Sequence, residues 1–517
     1  MVCRIAASLG FCLLLAGQER IDSDVNDRIR QEAMENSRIR RTVHYLTDVA
    51  GPRLTGSPQC RAASEWAARQ MSEWGLSDAR LEPWDFGRHG WSNQRVAAFL
   101  TAPVEDTLVG KALPWTPGTD GTVTGQCVQL IPPENPVQEQ FTAWIEGQRE
   151  IVRDRIVLVG RHTEVPVNFK PPALRLEADL TLLRPAPAAQ AAVPLTAQQI
   201  GDQIDRFLRD NRALVRVNDS ARPLGQVRAS QNRAYDITQV PPTLILRNED
   251  FGRISRLLEE GLAVEMEVQI ASRTHPEGRT AYNVLADIPG GDKRDEIVML
   301  GGHIDSLDGA TGATDNATGA AVMMEAARIL KALGVQPRRT IRLALWGGEE
   351  QGLLGSQAHV REQFGTAESP KPAFYRLAAC FNLDSGTGRI RGLSVFGPPA
   401  AAAALNEIVQ PFARWGVAGA AGSRSRRLGG SDHTSFAAAG LPGIGLLQDP
   451  IEYPTSTWHT NLDAYERIVE DDLKQAAMVV ASAVYHLAMR EQILPRFAPW
   501  ELPRPGTEAA SPAAAGP

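Results

Sequence analysis

Histidine and carboxylate side chains recur directly after apolar segments in the second half of the chain. They are His303 after "EIVMLGG", Glu349 and Glu350 after "IRLALWGG", and Asp384 after "LAACFNL", with His459 in a later loop, "EYPTSTWHTNLD". The carboxyl ends of strands in an open α/β sheet meet at the edge where ligands bind. Carboxylates and imidazoles without thiolates suit hard or borderline divalent cations, and zinc is the usual choice for such mixed sets. The pattern therefore predicts a metal site at one sheet edge.

A glycine-rich stretch, "GGHIDSLDGATGATDNATG", runs from Gly301 to Gly319 and places Asp305, Asp308 and Asp315 among small residues. An acidic loop in solvent is one interpretation, and half of a cation site is the other. The strand-end residues and His459 alone make two histidines and three carboxylates, a set that exceeds what one tetrahedral catalytic ion uses. It suits two ions that share a bridging carboxylate.

The elements that would position these residues alternate between strands and helices. The segments "DEIVMLGGH", "RTIRLALWGGEE" and "YRLAACFNLDS" are predicted strands, and "ATGAAVMMEAARILKAL" has the apolar spacing of a helix. Strands that are apolar almost throughout imply a sheet covered by helices on both faces. We therefore predict an α/β fold with a mixed, mostly parallel sheet between helices, built from residues 18–101 and 275–490.

Residues 102–274 have a different character. Prolines cluster in "LPWTPGTDG" and "IPPENP", and short β-type segments such as "DRIVLVG" and "VEMEVQI" appear between them. We predict an inserted β-rich domain here, which agrees with a length of 517 residues, above the usual limit of a single core. The chain ends in "PRPGTEAASPAAAGP", a composition that cannot form a core, and residues 491–517 are predicted to be a disordered tail.

Residues 1–17 have the layout of a secretory signal peptide. An early Arg4 precedes an apolar segment from Ile5 to Ala16, and small residues and charge follow. The apolar segment is too short to span a bilayer comfortably, although a membrane anchor or a mistaken start site is the alternative. We predict export, to the periplasm or the medium, and no stable membrane insertion once the signal is removed.

Composition excludes several other classes. The net charge of −6 provides no basic face for nucleic acid. The catalytic half has no Gly-x-Ser-x-Gly segment of a serine hydrolase, and the His-Glu-x-x-His of a zincin is absent. After removal of the signal, Cys60, Cys127 and Cys380 remain, too widely spaced for a disulfide framework or a thiolate zinc site.

Six motifs carry a resemblance to a known family. In chain order they are "GGHIDS", "GATDNATG", "WGGEEQGLLGS", "NLDS", "GGSDHTSF" and "WHTNLD". This series resembles the co-catalytic dizinc exopeptidases, which include bacterial leucyl aminopeptidases and carboxypeptidase Q. The resemblance covers roughly residues 281–487. The N-terminal "LTDVAGPRLTGSP" and the insertion resemble the carboxypeptidase Q branch, where the insertion is a protease-associated-like domain.

The resemblance implies two zinc ions and assigns their ligands. One ion would be held by His303, Asp315 and Glu350, and the other by Asp315, Asp384 and His459, so that Asp315 bridges. Asp305 would support the imidazole of His303, with a turn-capping role as the alternative, and Asp463 would support His459. Asp308 has no counterpart in the family and is predicted to be a solvated loop residue.

The same resemblance implies the catalytic and substrate-binding groups. Glu349 would take a proton from the water that the zinc ions activate and pass it to the leaving amine. His433 would contact the substrate or the oxyanion, while Asp432 or Ser431 would shape that loop, with a simple turn as the alternative. Tyr453 is a candidate for the tyrosine that some family members use at the oxyanion, because none precedes the "SDH" segment here.

We predict that the substrate is a peptide and that the activity is an aminopeptidase. A dipeptidase or carboxypeptidase of the carboxypeptidase Q type is the alternative, and Arg424, Arg426 and Arg427 would then be candidates for binding a terminal carboxylate. A glutaminyl cyclase-like transferase would use one zinc, and a non-catalytic receptor would have lost ligands, so the complete set argues against both. A homodimer is left open.

Overall fold

The structure is a computed structural model that describes residues 19–169, 172–176 and 195–505. The predicted signal peptide, residues 1–17, lies outside the described residues, as do residues 506–517 of the predicted tail. Within the described ranges, no helix combines the length and apolar character needed to cross a membrane.

The helices, in chain order, are α1 (Ser23–Glu35), α2 (Ile39–His44), α3 (Pro58–Glu73), α4 (Gln138–Glu146), α5 (Arg149–Val152), α6 (Ala197–Asp210), α7 (Asn248–Glu259), α8 (Thr318–Ala332), α9 (Leu354–Gln363), α10 (Pro399–Val409), α11 (His433–Ala439) and α12 (Glu470–Met489). Local sequence accounts for several of the starts. Ser57 accepts a hydrogen bond from the Cys60 amide at 3.1 Å and Pro58 opens α3. Thr196 and Gln199 form a reciprocal capping box at α6.

The strands are β1 (Ser77–Asp85), β2 (Gly90–Ala102), β3 (Asp106–Thr107), β4 (Gly110–Ala112), β5 (Thr122–Leu130), β6 (Ile156–Val159), β7 (Val215–Asp219), β8 (Thr243–Leu246), β9 (Glu265–His275), β10 (Thr280–Ile288), β11 (Lys293–His303), β12 (Arg339–Trp346), β13 (Gly365–Thr366), β14 (Ser369–Pro370), β15 (Leu377–Leu383), β16 (Ile390–Phe396), β17 (Ala420–Ser423) and β18 (Gly443–Gln448).

The first sheet has the strand order β1-β10-β12-β11-β15-β18-β16-β17. Its central strands β12, β11, β15 and β18 are parallel, whereas β10 and β16 run antiparallel to their inner neighbours. Side chains of β11 alternate between two cores: Val298 and Leu300 pack with α8 and α12, and Met299 packs with α9 and α11. The predicted fold class, a mixed sheet between helices, is confirmed.

The second sheet has the order β3-β2-β9-β5-β6-β7-β8-β4 and begins with β2, so it spans residues 90–275. The strands β5, β6, β7 and β8 are parallel, and helices cover both faces. Ile156 and Leu158 of β6 share a core with α7, while Val157 shares one with α4 and α6. The insertion predicted as β-rich is thus part α/β, because alternating apolar segments in it form helices as well as strands. The boundaries 102–274 remain a prediction.

The C-terminal segment differs from its prediction. Residues 491–505, predicted as part of a disordered tail, are described and pack against the first sheet's layer of helices and loops. Leu494 is fully buried, and Arg496 donates a hydrogen bond to the Phe374 carbonyl at 2.8 Å. The predicted tail therefore begins too early, because apolar side chains before residue 500 still find a core.

Candidate active site

Three strand ends meet at one edge of the first sheet. β11 lies between β12 and β15 and is parallel to both, with His303 directly opposite Trp346. Glu349 and Glu350 follow Trp346 after two glycines, and Asp384 follows the last residue of β15. Parallel neighbours must bring their carboxyl ends to the same edge. The topology therefore places side chains that are distant in sequence in one cluster.

Asp315 lies between the two histidines. Its Oδ1 is 3.4 Å from Nε2 of His303, and its Oδ2 is 3.2 Å from Nε2 of His459. The other two carboxylates divide between the histidines: Asp384 Oδ1 lies 3.3 Å from His303 Nε2, and Glu350 Oε2 lies 3.2 Å from His459 Nε2. The five predicted ligands are brought together, with Asp315 at the centre.

The pairing of ligands predicted from the resemblance is wrong. It placed Glu350 with His303 and Asp384 with His459, and the contacts are the reverse. The reason is strand order: β15 is the direct neighbour of β11, so Asp384 faces His303. Glu350 leaves the end of β12 in an irregular turn that faces the loop of His459.

The donor atoms fit divalent cations. Two groups of three side chains each place ligand atoms within 4.8 Å of one another: His303, Glu349 and Asp384, and Asp315, Glu350 and His459. Among the described residues, four of these atoms are buried without a hydrogen-bond partner: His303 Nε2, Asp315 Oδ2, Glu350 Oε1 and Asp384 Oδ1. Buried polar atoms without partners are costly. A divalent cation held by each group would give these buried atoms a partner.

Burial and neighbouring charges set the proton affinity of the cluster. Burial raises the pKa of Glu349 well above its ordinary value; the His303 imidazole opposes this shift, and the carboxylates of Asp384 and Glu350 increase it. Burial alone would lower the pKa of His459, but its contacts with Asp315 and Glu350 raise it to about 10. Burial and the neighbouring carboxylates thus both favour the protonated form of Glu349.

Asp305 connects the end of β11 with the turn after β12. His303 Nδ1 donates to the Asp305 carbonyl at 3.1 Å and lies 3.6 Å from its carboxylate. The carboxylate oxygens accept from the amides of Glu349 and Glu350, at 3.2 Å and 3.3 Å, and from the Thr55 hydroxyl at 2.9 Å. Asp305 therefore orients the glutamate pair as well as the imidazole for which its support was predicted.

Asp463 was predicted to support His459, but its carboxylate instead accepts hydrogen bonds from Thr314 and from Asp315, the proposed bridging ligand. Its Oδ1 accepts from the amide and the hydroxyl of Thr314, at 2.6 Å and 2.8 Å, and its Oδ2 accepts from the Asp315 amide at 3.1 Å. Asp308 also differs from its prediction as a solvated acid, since it is half-buried and burial raises its pKa to about 6.

The predicted substrate-facing residues lie beside the cluster. His433 begins α11, is enclosed against Gly445, and has its pKa lowered to about 4 by burial. Both carboxylate oxygens of Asp432 are buried without a hydrogen-bond partner among the described residues. Tyr453 packs on Gly386, and burial together with the Asp315 charge raises its pKa.

Arg53, in the segment "AGPRLTGSP", was not singled out by the sequence. It is fully buried, and its guanidinium donates to backbone carbonyls on both sides of the metal-site loop, at 2.6–2.8 Å: those of Leu46, Ile304, Thr311 and Gly312. Burial lowers its pKa, while the nearby charges of Asp463, Asp305 and Asp315 raise it. The one feature of the sequence that could have indicated this role is a lone arginine among glycine and proline residues.

Replacing Arg53 with alanine is expected to lower the free energy of unfolding by about 3–5 kcal/mol, because several buried carbonyls lose their donors at about 1–3 kcal/mol each. Urea denaturation followed by circular dichroism measures the change. Arg361→Ala is the control, since that side chain is 72% exposed on α9, and its expected effect is below about 0.5 kcal/mol. Equal effects of the two substitutions would contradict the role of Arg53.

Comparison with known proteins identifies relatives of this chain. Residues 283–484 match the model of Peptidase family M28. Carboxypeptidase Q of Xenopus laevis is 26% identical over 455 residues, which cover 87% of this chain and 86% of that protein.

Among solved structures, a peptidase M28 precursor from Shewanella amazonensis SB2B superposes with a TM-score of 0.66 at 23% identity, covering 92% of this chain and 98% of that one. BSAP, a zinc aminopeptidase from Bacillus subtilis, superposes with a TM-score of 0.55 at 19% identity, covering 89% and 97%. At these identities, the structural matches establish a shared fold.

Proposed function

We propose, from the premise that this chain is a metallo-exopeptidase of peptidase family M28, that it removes N-terminal residues from short peptides with the help of two zinc ions. The observation that supports this most is the division of the donor atoms on either side of Asp315, with Glu349 at the same sheet edge. Such an arrangement serves metal-assisted hydrolysis, which uses an acid–base group beside a cation site.

The residues would hold the ions in two groups. His303 and Asp384 would bind one ion, Glu350 and His459 the other, and Asp315 would bind both through its two oxygens. When bound, such ions polarise the scissile carbonyl and make water a better nucleophile at neutral pH. Asp305 and Asp463 position these ligands through the hydrogen bonds to the glutamate turn and to the Thr314–Asp315 backbone.

Glu349 is the proposed general base and acid. Its carboxylate lies with His303 and Asp384 at the strand ends, and its backbone is anchored on Asp305. Because its pKa is raised, it can accept the proton of the attacking water and release it to the leaving amine. We propose that His433, neutral because its pKa is lowered, contacts the substrate carbonyl region, with Tyr453 beside it and Asp432 shaping the loop.

Recognition of the N-terminus follows from the charge of the site. A free α-amine is a cation and needs a carboxylate acceptor, and outside the proposed ligand set both carboxylate oxygens of Asp432 are buried without a hydrogen-bond partner among the described residues. Two of the arginines that could have bound a terminal carboxylate are engaged elsewhere. Arg426 is buried against Glu368 and the Ala438 carbonyl, and Arg424 donates to the Glu501 carbonyl. A dipeptidase or carboxypeptidase is the second candidate, favoured by the length of the match to carboxypeptidase Q.

Substrates blocked at one end test the assignment. We expect the zinc-loaded protein to cleave leucyl-anilides and dipeptide amides with a free amine. N-acetylation should lower kcat/KM about 100-fold, since a charged hydrogen bond contributes about 1.5–3 kcal/mol. Cleavage of N-acetyl dipeptides together with resistance of the amides would instead show a carboxypeptidase, and activity confined to free dipeptides would show a dipeptidase.

We further propose that the protein is exported, on the basis of the signal-like residues 1–17. Fractionation of cells that express the full chain, with an antibody against its C-terminal half, tests this. Retention in the cytoplasm at full length would contradict export.

A further inference from the structure

The segment Gln226–Gln231, which we call the clamp, comes from the part of the chain that forms the second sheet, between β7 and β8. It crosses to the first sheet and contacts the two irregular loops that carry Glu350 and His459. From Val227 to Ser230 the residues alternate in burial: Val227 and Ala229 are buried, and Arg228 and Ser230 are exposed. The clamp thus behaves as a short extended strand laid on the edge of the site.

Backbone hydrogen bonds join the clamp to the His459 loop. The Ala229 amide donates to the His459 carbonyl at 2.8 Å, and the Asn461 amide donates to the Val227 carbonyl at 3.0 Å. The Val227 amide donates to the Asn461 side chain at 2.6 Å. His459 itself has a positive φ of 54°, a region that histidine adopts infrequently. A ligand in that conformation depends on its neighbours to hold it.

Gln231 joins the clamp to the glutamate turn. Its Nε2 donates to the Glu350 carbonyl at 2.8 Å, and its Oε1 accepts from the Gln351 side chain at 3.0 Å. Glu350 belongs to no strand or helix, since β12 ends at Trp346 and α9 begins at Leu354. The amide of Gln231 therefore holds the carbonyl of this ligand, while Asp305 holds its amide, in place of regular structure.

The other ligands are positioned differently. His303 is the last residue of β11 and Asp384 directly follows β15, so the ladder of the first sheet sets their backbones. Asp315 is held by Asp463. Among the described contacts, none joins the clamp to these three residues. The two proposed ion positions share Asp305 and Asp315 as supports, but among the described contacts the clamp reaches only the Glu350/His459 position.

We propose that the clamp, through Gln231, is a positioning element for only the Glu350/His459 ion position. The inserted part of the chain would then control the affinity of one of the two ions, while the ladder of the first sheet sets the other. This inference rests on the proposed two-ion function. It makes occupancy of one position dependent on how the two sheets are docked.

Graded chelation tests the proposal. Zinc-loaded wild-type protein, Gln231→Ala and Gln129→Ala are dialysed against increasing concentrations of a zinc chelator, and the zinc remaining per chain is measured by mass spectrometry. Gln129 is the matched control, because it is a half-buried glutamine of the second sheet that also donates to a carbonyl, that of Gly160 at 2.9 Å, and accepts from Ser255.

For all three proteins we expect a biphasic curve of bound zinc against chelator concentration. In Gln231→Ala, one of the two zinc ions should be bound about tenfold more weakly, which is typical of losing a group that orients a metal ligand. The affinity for the other ion should be unchanged. Excess zinc should restore the kcat of Gln231→Ala, because the reacting groups are intact. Gln351→Ala, which removes one of the partners of Gln231, should shift the same ion by a smaller factor and serves if Gln231→Ala fails to fold.

Two results would overturn the proposal: equal weakening of both ions in Gln231→Ala, or the same curve for Gln231→Ala and Gln129→Ala. The wild-type stoichiometry is read first. A wild-type chain that binds no ion, or a single one, contradicts the two-ion function itself, and this outcome is distinct from failure of the clamp.

Discussion

Glu349→Gln is expected to lower kcat by about 10³- to 10⁴-fold, with KM and zinc content close to those of the wild type. The amide has the size and shape of the carboxylate but cannot accept a proton, and a positioned general base contributes up to about 10⁴-fold. The backbone of residue 349 should remain in place because its amide donates to Asp305.

Three measurements make this test specific: steady-state rates on a leucyl-anilide, zinc per chain, and thermal unfolding. Glu362→Gln is the control, since that side chain is 57% exposed on α9, and it should leave the rate unchanged. A Glu349→Gln enzyme that retains activity within about tenfold of the wild type would remove Glu349 from the proton transfer. Loss of zinc in the variant would point to a ligand role instead.

Asp315→Ala is expected to reduce tightly bound zinc from two ions per chain to one or none and to lower kcat/KM by about 10³-fold or more. Asp315 is the carboxylate whose two oxygens face both histidines, at 3.4 Å and 3.2 Å, so its removal takes a ligand from each position. It also leaves the buried imidazole of His303 and the half-buried imidazole of His459 without the negative charge between them.

Zinc per chain after gel filtration measures this effect, with activity read on the same samples. Asp308→Asn is the control in the same loop, because that side chain contacts none of the five ligands in the described contacts, and it should keep both ions. Unchanged zinc in Asp315→Ala would show that the aspartate does not bridge. Loss of zinc in both variants would instead indicate that the loop as a whole had collapsed.

Much of the site could be predicted from local sequence. Apolar segments ending in "GGH", "WGGEE" and "NLD" define strands and the polar residue that follows each. The parallel arrangement expected for such strands brings those residues to one edge, where the structure places His303, Glu349, Glu350 and Asp384. The resemblance of the motifs added the ligand role of His459 and the central position of Asp315.

Long-range contacts could not be predicted in this way. Asp463 was expected to support His459 and instead supports Thr314 and Asp315, since one carboxylate can accept from any donor the fold brings near. The sequence could not show which groups Arg53 and Gln231 contact, because each donates to backbone carbonyls, and a carbonyl is present at every residue.

The sequence by itself determined the kind of chemistry: imidazoles and carboxylates without thiolates, a glutamate beside a ligand glutamate, and strands that end on them. These are properties of residue types and of periodicity over a few positions. The tertiary structure alone decided which ligand faces which. Asp384 joins His303 because β15 is adjacent to β11, and Glu350 joins His459 because two irregular loops meet there under the clamp. Strand order and loop docking arise from packing between distant segments, so no local pattern contains them.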